Sequence, residues 1–177
     1  MSYANGAYMV VKTNIISSVM PSGKPFIEET FLYLDDDLLG LILWNRGYRV
    51  KYIPADSGIH FASSTTKGSV SAYYGLRGSV ARLYITKTKY SHIKWLRLST
   101  RLLSNYFRDK TLYKAVRDGI ELGKKLLHTV GSLNLYCAPY IKINLLSEVK
   151  QILPGLNVKD KYTVKLTDLV YKPINCH

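Results

Sequence analysis

The chain has 177 residues, 47% of them hydrophobic and 21% charged, with a formal net charge of +13. That length and balance give one folded domain with a real core and exclude disorder as a global state. The longest apolar run, Leu38 to Trp44 with Gly40 inside it, is too short to cross a bilayer, and the start of the sequence lacks a basic region followed by an apolar one, so neither a transmembrane helix nor a signal peptide is expected.

In chain order, residues 7 to 12 read as a strand, with Tyr8, Val10 and Val11 as β-formers. Asn14 to Met20 reads as a short helical or irregular link that the cluster Pro21-Ser22-Gly23-Lys24-Pro25 ends in a loop. Asp35, Asp36 and Asp37 stand where a helix would begin, able to cap its first N–H groups and facing the positive end of its dipole. Leu38, Leu39, Leu41, Ile42, Leu43 and Trp44 are apolar almost all round, which predicts a helix buried on most sides, with Gly47 as its stop. Tyr48 to Ile53 then reads as a strand ended by Pro54. The polar run Ser63 to Gly68 is a connector. From Ser69 to about residue 130 apolar residues recur at three and four among lysines and arginines, predicting two or three amphipathic helices. Asn144 to Ile152 reads as one more helix, and Tyr162 to Val170 alternates as a terminal strand. Cys137 and Cys176 lie far apart, without CxxC spacing or paired histidines, which points to neither a zinc site nor a disulfide framework and makes a reducing compartment the default.

The order of these pieces resembles the C-terminal half of the catalytic domain of family 2 glycosyltransferases, inverting enzymes of the GT-A fold. That family has an acidic pair opening a helix that ends in Gly-Tyr, then a strand ending in Pro, then a histidine. Here the pair is Asp35-Asp36, the helix ends at Gly47-Tyr48, the strand ends at Pro54, and the histidine is His60. Asn5-Gly6-Ala7 with Tyr8 to Val11 resembles the family's Gly-Ala strand, and Phe26-Ile27-Glu28-Glu29 resembles its Phe-Asp-Glu-x turn. Tyr73-Tyr74-Gly75-Leu76-Arg77-Gly78 resembles its Tyr-Tyr-x-x-Arg-Asn motif with Gly78 in place of Asn, and Ala115 to Ile120 with Gly123-Lys124-Lys125 resembles its late helix. The likeness covers roughly residues 3 to 130.

The resemblance implies an α/β fold, a partial GT-A-like mixed sheet with helices followed by a mainly helical amphipathic region. Its expected organisation is an acceptor-side catalytic half over residues 1–68, a basic membrane-proximal helical region over 69–131, and an extension of unassigned role over 132–177. It implies a transferase of glycan biosynthesis moving sugar from a nucleotide-sugar donor to a lipid-linked or cell-surface glycan acceptor. Asp36 is then the catalytic base and Asp35 its acidic neighbour. His60 and Arg77 are expected at the donor diphosphate or its metal, His60 being the metal ligand. Gly6, Ala7 and Trp44 are expected at the acceptor. A divalent metal, Mg or Mn, is expected in the complete enzyme. Leu38 stands where many relatives have a further Asp. No Asp-x-Asp precedes Asn5, while Asp35 and Asp37, which have that spacing, sit on the acceptor side. The chain is therefore expected to be a fragment, a truncated gene product or one part of a split enzyme, and to be inactive without an N-terminal nucleotide-binding half. Without the flanking pattern, three aspartates that merely cap a buried helix would account for the triplet.

Charge adds a second line. Through His60 the net charge is −1, and the remainder carries +14. A basic segment containing Tyr90, Trp95, Tyr106 and Phe107 suits a helix lying at an anionic lipid surface, with aromatic rings at the head groups. The expected location is cytoplasmic, peripheral at the inner face of the cell membrane. The alternative is a non-catalytic basic module that binds anionic membrane or nucleic acid. Aromatics among bases also fit single strands, although no helix-turn-helix, RNP-like or zinc-finger pattern is present. An ordinary helical subdomain with a solvated basic side would show the same periodicity.

Overall fold

The computed structural model describes residues 9–51, 53, 68–87, 91–141 and 169–170. Along it run α1 (Thr13–Val19), a 3₁₀ turn (Glu28–Thr30), α2 (Asp35–Asn45), α3 (Ser69–Ile85), β1 (Thr86–Lys87), α4 (Ser91–Arg108), α5 (Lys110–Val130), β2 (Leu133–Asn134), a second 3₁₀ turn (Leu135–Cys137), β3 (Tyr140–Ile141) and β4 (Leu169–Val170). The described residues are mostly helical, with a small parallel sheet of two strands.

Local chemistry sets the helix ends. At the C-terminus of α2, Gly47 takes φ +84°, a conformation that disfavours a side chain, and the N–H groups of Gly47 and Tyr48 reach back to the carbonyls of Trp44 (3.2 Å) and Leu43 (2.9 Å). These bonds satisfy carbonyls that the last turn would otherwise leave open. Helix α5 is started by Asp109, whose carboxylate accepts from the N–H groups of Thr111 (2.7 Å) and Leu112 (3.2 Å).

The core is built on the contact between α3 and α5. Gly119 and Gly123, one turn apart on α5, allow it: a Cβ on Gly119 would stand 2.7 Å from the Arg77 carbonyl oxygen, and one on Gly123 would stand 2.6 Å from the Cβ of Tyr84. Small residues at this spacing let two helix backbones approach closely. Leu38, Leu39, Leu41 and Ile42 of α2 are buried together with Ile16, Met20, Ala81, Ile85, Leu122 and Leu126. This is the burial expected for a helix that is apolar almost all round. A smaller cluster of Val80, Leu98 and Val116 joins α3, α4 and α5.

Strands β1 and β2 pair in parallel, Thr86 with Leu133 and Lys87 with Asn134, across the connection formed by α4 and α5. Strands β3 and β4 pair antiparallel, Tyr140 with Val170 and Ile141 with Leu169. The side chain of Asn45 at the end of α2 also joins β2. It donates to the Asn134 carbonyl (3.1 Å) and accepts from the Asn134 N–H (2.8 Å).

Several expectations are corrected. The segments expected as strands at 7–12 and 48–53 are irregular at Met9–Lys12 and Tyr48–Lys51. A strand needs a ladder partner as well as β-forming side chains, and among the described residues the only ladders are β1 with β2 and β3 with β4. The described residues thus combine helices with two small strand pairs, an α/β mixture. Cys137 is buried and disulfide-bonded, against the expectation drawn from cysteine spacing, because a bridge distant in sequence is set by the fold and leaves no local motif. The three helices between residues 69 and 130 agree with the periodicity, and Leu169–Val170 agrees with the end of the expected terminal strand. The expected helix at 144–152 lies outside the described residues.

Candidate functional site

The approach to α2 is a strained turn. Phe31 has φ +58° and ψ −62°, the centre of a three-residue turn in which the Leu32 N–H donates to the Thr30 carbonyl at 2.8 Å, and Tyr33 has φ +63°. Positive φ at two aromatic residues is unfavourable for the isolated chain and persists where surrounding contacts fix it. Those contacts come from α3. The Arg77 guanidinium donates to the carbonyls of Glu29 (2.9 Å) and Thr30 (3.3 Å), the Tyr33 hydroxyl bonds to the Ser71 hydroxyl at 2.8 Å, and Phe31 lies against the ring of Tyr74. Gly78 completes the seat: a Cβ there would meet the Tyr33 carbonyl oxygen at 3.0 Å and the Leu34 Cβ at 3.2 Å. A longer side chain does not fit, which is a physical reason for glycine at the position where the resembled motif has Asn.

Leu34, almost fully buried, occupies the cap position of α2 with no side-chain cap bond, so the cap expected from the triplet is not in place there. The three carboxylates fill the first turn instead, all partly buried. Asp36 accepts from the N–H of Asp37 at 2.8 Å. Asp37 receives the Arg82 guanidinium at 2.6 Å. Burial is the largest influence on Asp37 and raises its pKa; Arg82 pulls the other way, and Asp36 and Asp35 push it up further.

Beyond the strained turn lies an open cavity of about 520 Å³. Glu29 and Phe31 form one wall, Tyr73, Tyr74 and Arg77 of α3 a second, and Asp118, Glu121, Leu122 and Lys125 of α5 the third. The Tyr73 hydroxyl donates to the Asp118 carboxylate in a short hydrogen bond. Burial first, and then that bond and charge, push the Tyr73 pKa up to about 12, so the phenol stays a protonated donor. Aromatic faces beside carboxylates and cations suit a polar ligand with several hydrogen-bonding groups.

Of the expected site residues, Asp35 and Asp36 stand together at the start of α2, but neither lines this cavity. Arg77 lines it while bracing the turn. Trp44 packs half-buried against the core, about 12 Å along the helix from Asp36 at 1.5 Å per residue, and so is not brought to the carboxylates. Gly6, Ala7 and His60 lie outside the described residues. Among the described residues there is no grouping of three or more His, Cys, Asp or Glu that could hold a metal ion. Adjacent positions in one helical turn point about 100° apart, and Asp37 is already paired with Arg82, so the triplet alone does not fit a divalent cation. Glu29, Phe31, Asp118, Glu121 and Lys125 were not singled out from sequence as site residues. Glu29 lay in the resembled turn and Asp118 and Lys125 in the resembled late helix, and beyond that the signal was the spacing of Asp118, Glu121 and Lys125 at three and four, which marks any helix face.

Among the described residues no helix is long and apolar enough to cross a membrane. Helix α4 nevertheless exposes Trp95, Leu96, Leu103, Tyr106 and Phe107, the last at 77%. Comparison with known proteins adds no relative: the chain matches no family model, no curated protein and no solved structure.

Proposed function

We propose that the chain is the acceptor-side, membrane-proximal part of an inverting glycosyltransferase that works at an anionic membrane surface. The observation that supports this reading is the meeting in space of motifs distant in sequence. The turn at Glu29–Thr30, the aromatic approach to the Asp35-Asp36 pair, and the Tyr-Tyr-x-x-Arg segment of α3 are tied together by Arg77, Ser71 and Gly78. Such locking over-determines a strained turn directly before two carboxylates, as pre-organised reaction sites require. In this reading Asp36 takes the proton of the acceptor hydroxyl as its oxygen attacks the anomeric carbon and the nucleoside diphosphate leaves from the opposite side. Asp35 orients the acceptor or Asp36 itself. The donor is held by the nucleotide-binding half of such an enzyme.

The test joins this chain to such a half and assays transfer. The chain alone gives little or no transfer, the completed enzyme is active, and Asp36→Asn lowers turnover by roughly a hundred- to ten-thousand-fold with donor binding intact. Full turnover by Asp36→Asn would overturn the assignment of the base.

The exposed apolar face of α4 favours a second reading, a non-catalytic basic module that docks on anionic membrane. Sedimentation with anionic liposomes, competed by oligonucleotide at matched salt, separates lipid from nucleic acid as the partner of the basic segment. Binding that is indifferent to salt and to lipid charge would exclude the electrostatic contribution, because exposed charges are screened within about 8 Å at physiological ionic strength.

A further inference from the structure

The cavity between the strained turn, α3 and α5 is not lined by the carboxylates of α2, and its walls have a chemistry of their own. It lies where α3 and α5 come closest: Gly119 admits the Arg77 carbonyl, and beside it the Tyr73 hydroxyl reaches the Asp118 carboxylate. Tyr73, Asp118 and Arg77 are therefore already engaged, Arg77 with the carbonyls of Glu29 and Thr30. The side chains of Glu29, Glu121 and Lys125 are exposed to the cavity, and among the described residues they hold no ion pair or hydrogen bond. Phe31 supplies an independent observation. It holds φ +58° yet is 64% exposed, so burial of its ring does not offset the strain of the turn. That ring stands 5.2 Å from the ring of Tyr74 and tilted by 58°, and Tyr73 meets Tyr74 edge-on at 5.0 Å. Strain of this kind is kept at ligand clamps, and here it holds an aromatic face open at the mouth of a cavity.

Charge decides the class of ligand. An anion entering the cavity meets Glu29, Glu121 and Asp118, while a cation meets Lys125 and Arg77, whose guanidinium already lies 5.8 Å from the centre of the Tyr74 ring. An apolar ligand would strip water from these groups and return no hydrogen bond. A neutral polyhydroxyl ring meets none of these penalties. Its hydroxyls donate to carboxylates and accept from the lysine ammonium, and its C–H bonds, polarised by the adjoining oxygens, lie against the negative face of an aromatic ring. The cavity, at about 520 Å³, falls within the range of about 300–1,000 Å³ typical of small-molecule sites. We propose that this cavity binds a neutral saccharide, stacked on Phe31 and hydrogen-bonded by Glu29, Glu121 and Lys125. Saccharide binding here stands without transferase activity. Its test uses neither donor nor turnover, so its failure and that of the Asp36 assignment are told apart.

The full chain is titrated with the methyl glycosides of glucose, galactose, mannose and N-acetylglucosamine, and binding is read by saturation-transfer difference NMR, which responds to weak ligands and reports which sugar protons touch the protein. Glucosamine and glucuronate, a cation and an anion on the same ring, are titrated beside them. Phe31→Ala removes the platform. Glu121→Gln keeps the shape of an exposed side chain and removes its charge, so it tests the site even if Phe31→Ala disturbs the turn. Phe107→Ala removes an equally exposed aromatic ring of α4 that lies outside the cavity. Circular dichroism confirms that each variant keeps its helices. The site predicts saturable binding of at least one methyl glycoside, which Phe31→Ala weakens by about fivefold or more, from the strength of an aromatic contact. Glu121→Gln should weaken it by about threefold or more, because a hydrogen bond to a charged group is roughly twice as strong as a neutral one. Phe107→Ala should leave it within about twofold. The proposal is overturned if no methyl glycoside binds saturably, or if Phe107→Ala weakens binding as much as Phe31→Ala. It is also overturned if glucosamine or glucuronate binds about tenfold or more tightly than every methyl glycoside, since the cavity would then be a site for a charge.

Discussion

Gly123→Ala and Gly75→Ala make the same chemical change in two helices with opposite expected outcomes. Replacing a mid-helix glycine by alanine removes backbone freedom from the unfolded chain and gains about 1 kcal/mol. At Gly75 nothing lies within 4 Å of the new methyl, so that gain should appear in full. At Gly123 the methyl would lie 2.6 Å from the Tyr84 Cβ, an atom fixed to the backbone of α3 that cannot rotate away. Carbon atoms in contact sit about 3.5–4.0 Å apart, so α3 and α5 must separate by about 1 Å. Overpacking of this kind costs about 1–3 kcal/mol. Because the propensity gain is common to both variants, their difference isolates the clash, and the rigidity of its partner puts the difference at about 2–3 kcal/mol. At about 2–4 °C per kcal/mol for a chain of this size, the melting temperatures should differ by about 4–12 °C, with Gly75→Ala the more stable. Thermal and urea unfolding of the two variants measure it. If both shift stability equally and in the same direction, α3 and α5 do not touch at Gly123, and the core described above is wrong.

Asp109→Ala removes the cap of α5 and should lower stability by about 0.5–2 kcal/mol in urea unfolding, with Asp109→Asn recovering most of the loss. Tyr73 should ionise near pH 12, as read from the difference in alkaline ultraviolet titration between the native chain and Tyr73→Phe. Its folded pKa lies above the ordinary 10.0, so between pH 10 and 12 the unfolded chain loses the proton first and stability falls as pH rises, a component that Tyr73→Phe should remove. For Asp37 the raised pKa means that the folded state holds its proton longer, so its contribution becomes less favourable as pH rises from 3.8 through the folded value. Asp37→Asn should flatten that part of the acid unfolding curve while replacing the ion pair with Arg82 by a neutral hydrogen bond.

Helices were legible from this sequence because their signals are local. The apolar run after Asp37, the stop at Gly47 and the spacing of three and four beyond Ser69 each act within a turn or two of chain. Apart from Leu169–Val170, strands were not, because Val10 and Val50 advertise a β conformation that only a neighbouring strand can realise, and the two strands of the parallel sheet are too short to leave an alternating pattern. The acidic pair was found at the helix start, but its cap was not, since the buried Leu34 took that position through packing. Arg77 was legible as a cation of interest. Its bonds to two carbonyls were not, because they bridge 47 and 48 positions of sequence and depend on a backbone conformation that aromatic residues rarely adopt.

Asn45 settles the fate of one sheet edge. Both ladder groups of Asn134 that point away from β1 are occupied by its side-chain amide, which imitates a third strand with two atoms. A real strand there would expose its own far edge and could recruit a second molecule, the route by which open sheets polymerise. A side chain offers no far edge, so pairing stops after one residue and self-association by strand addition is blocked on that side of β2.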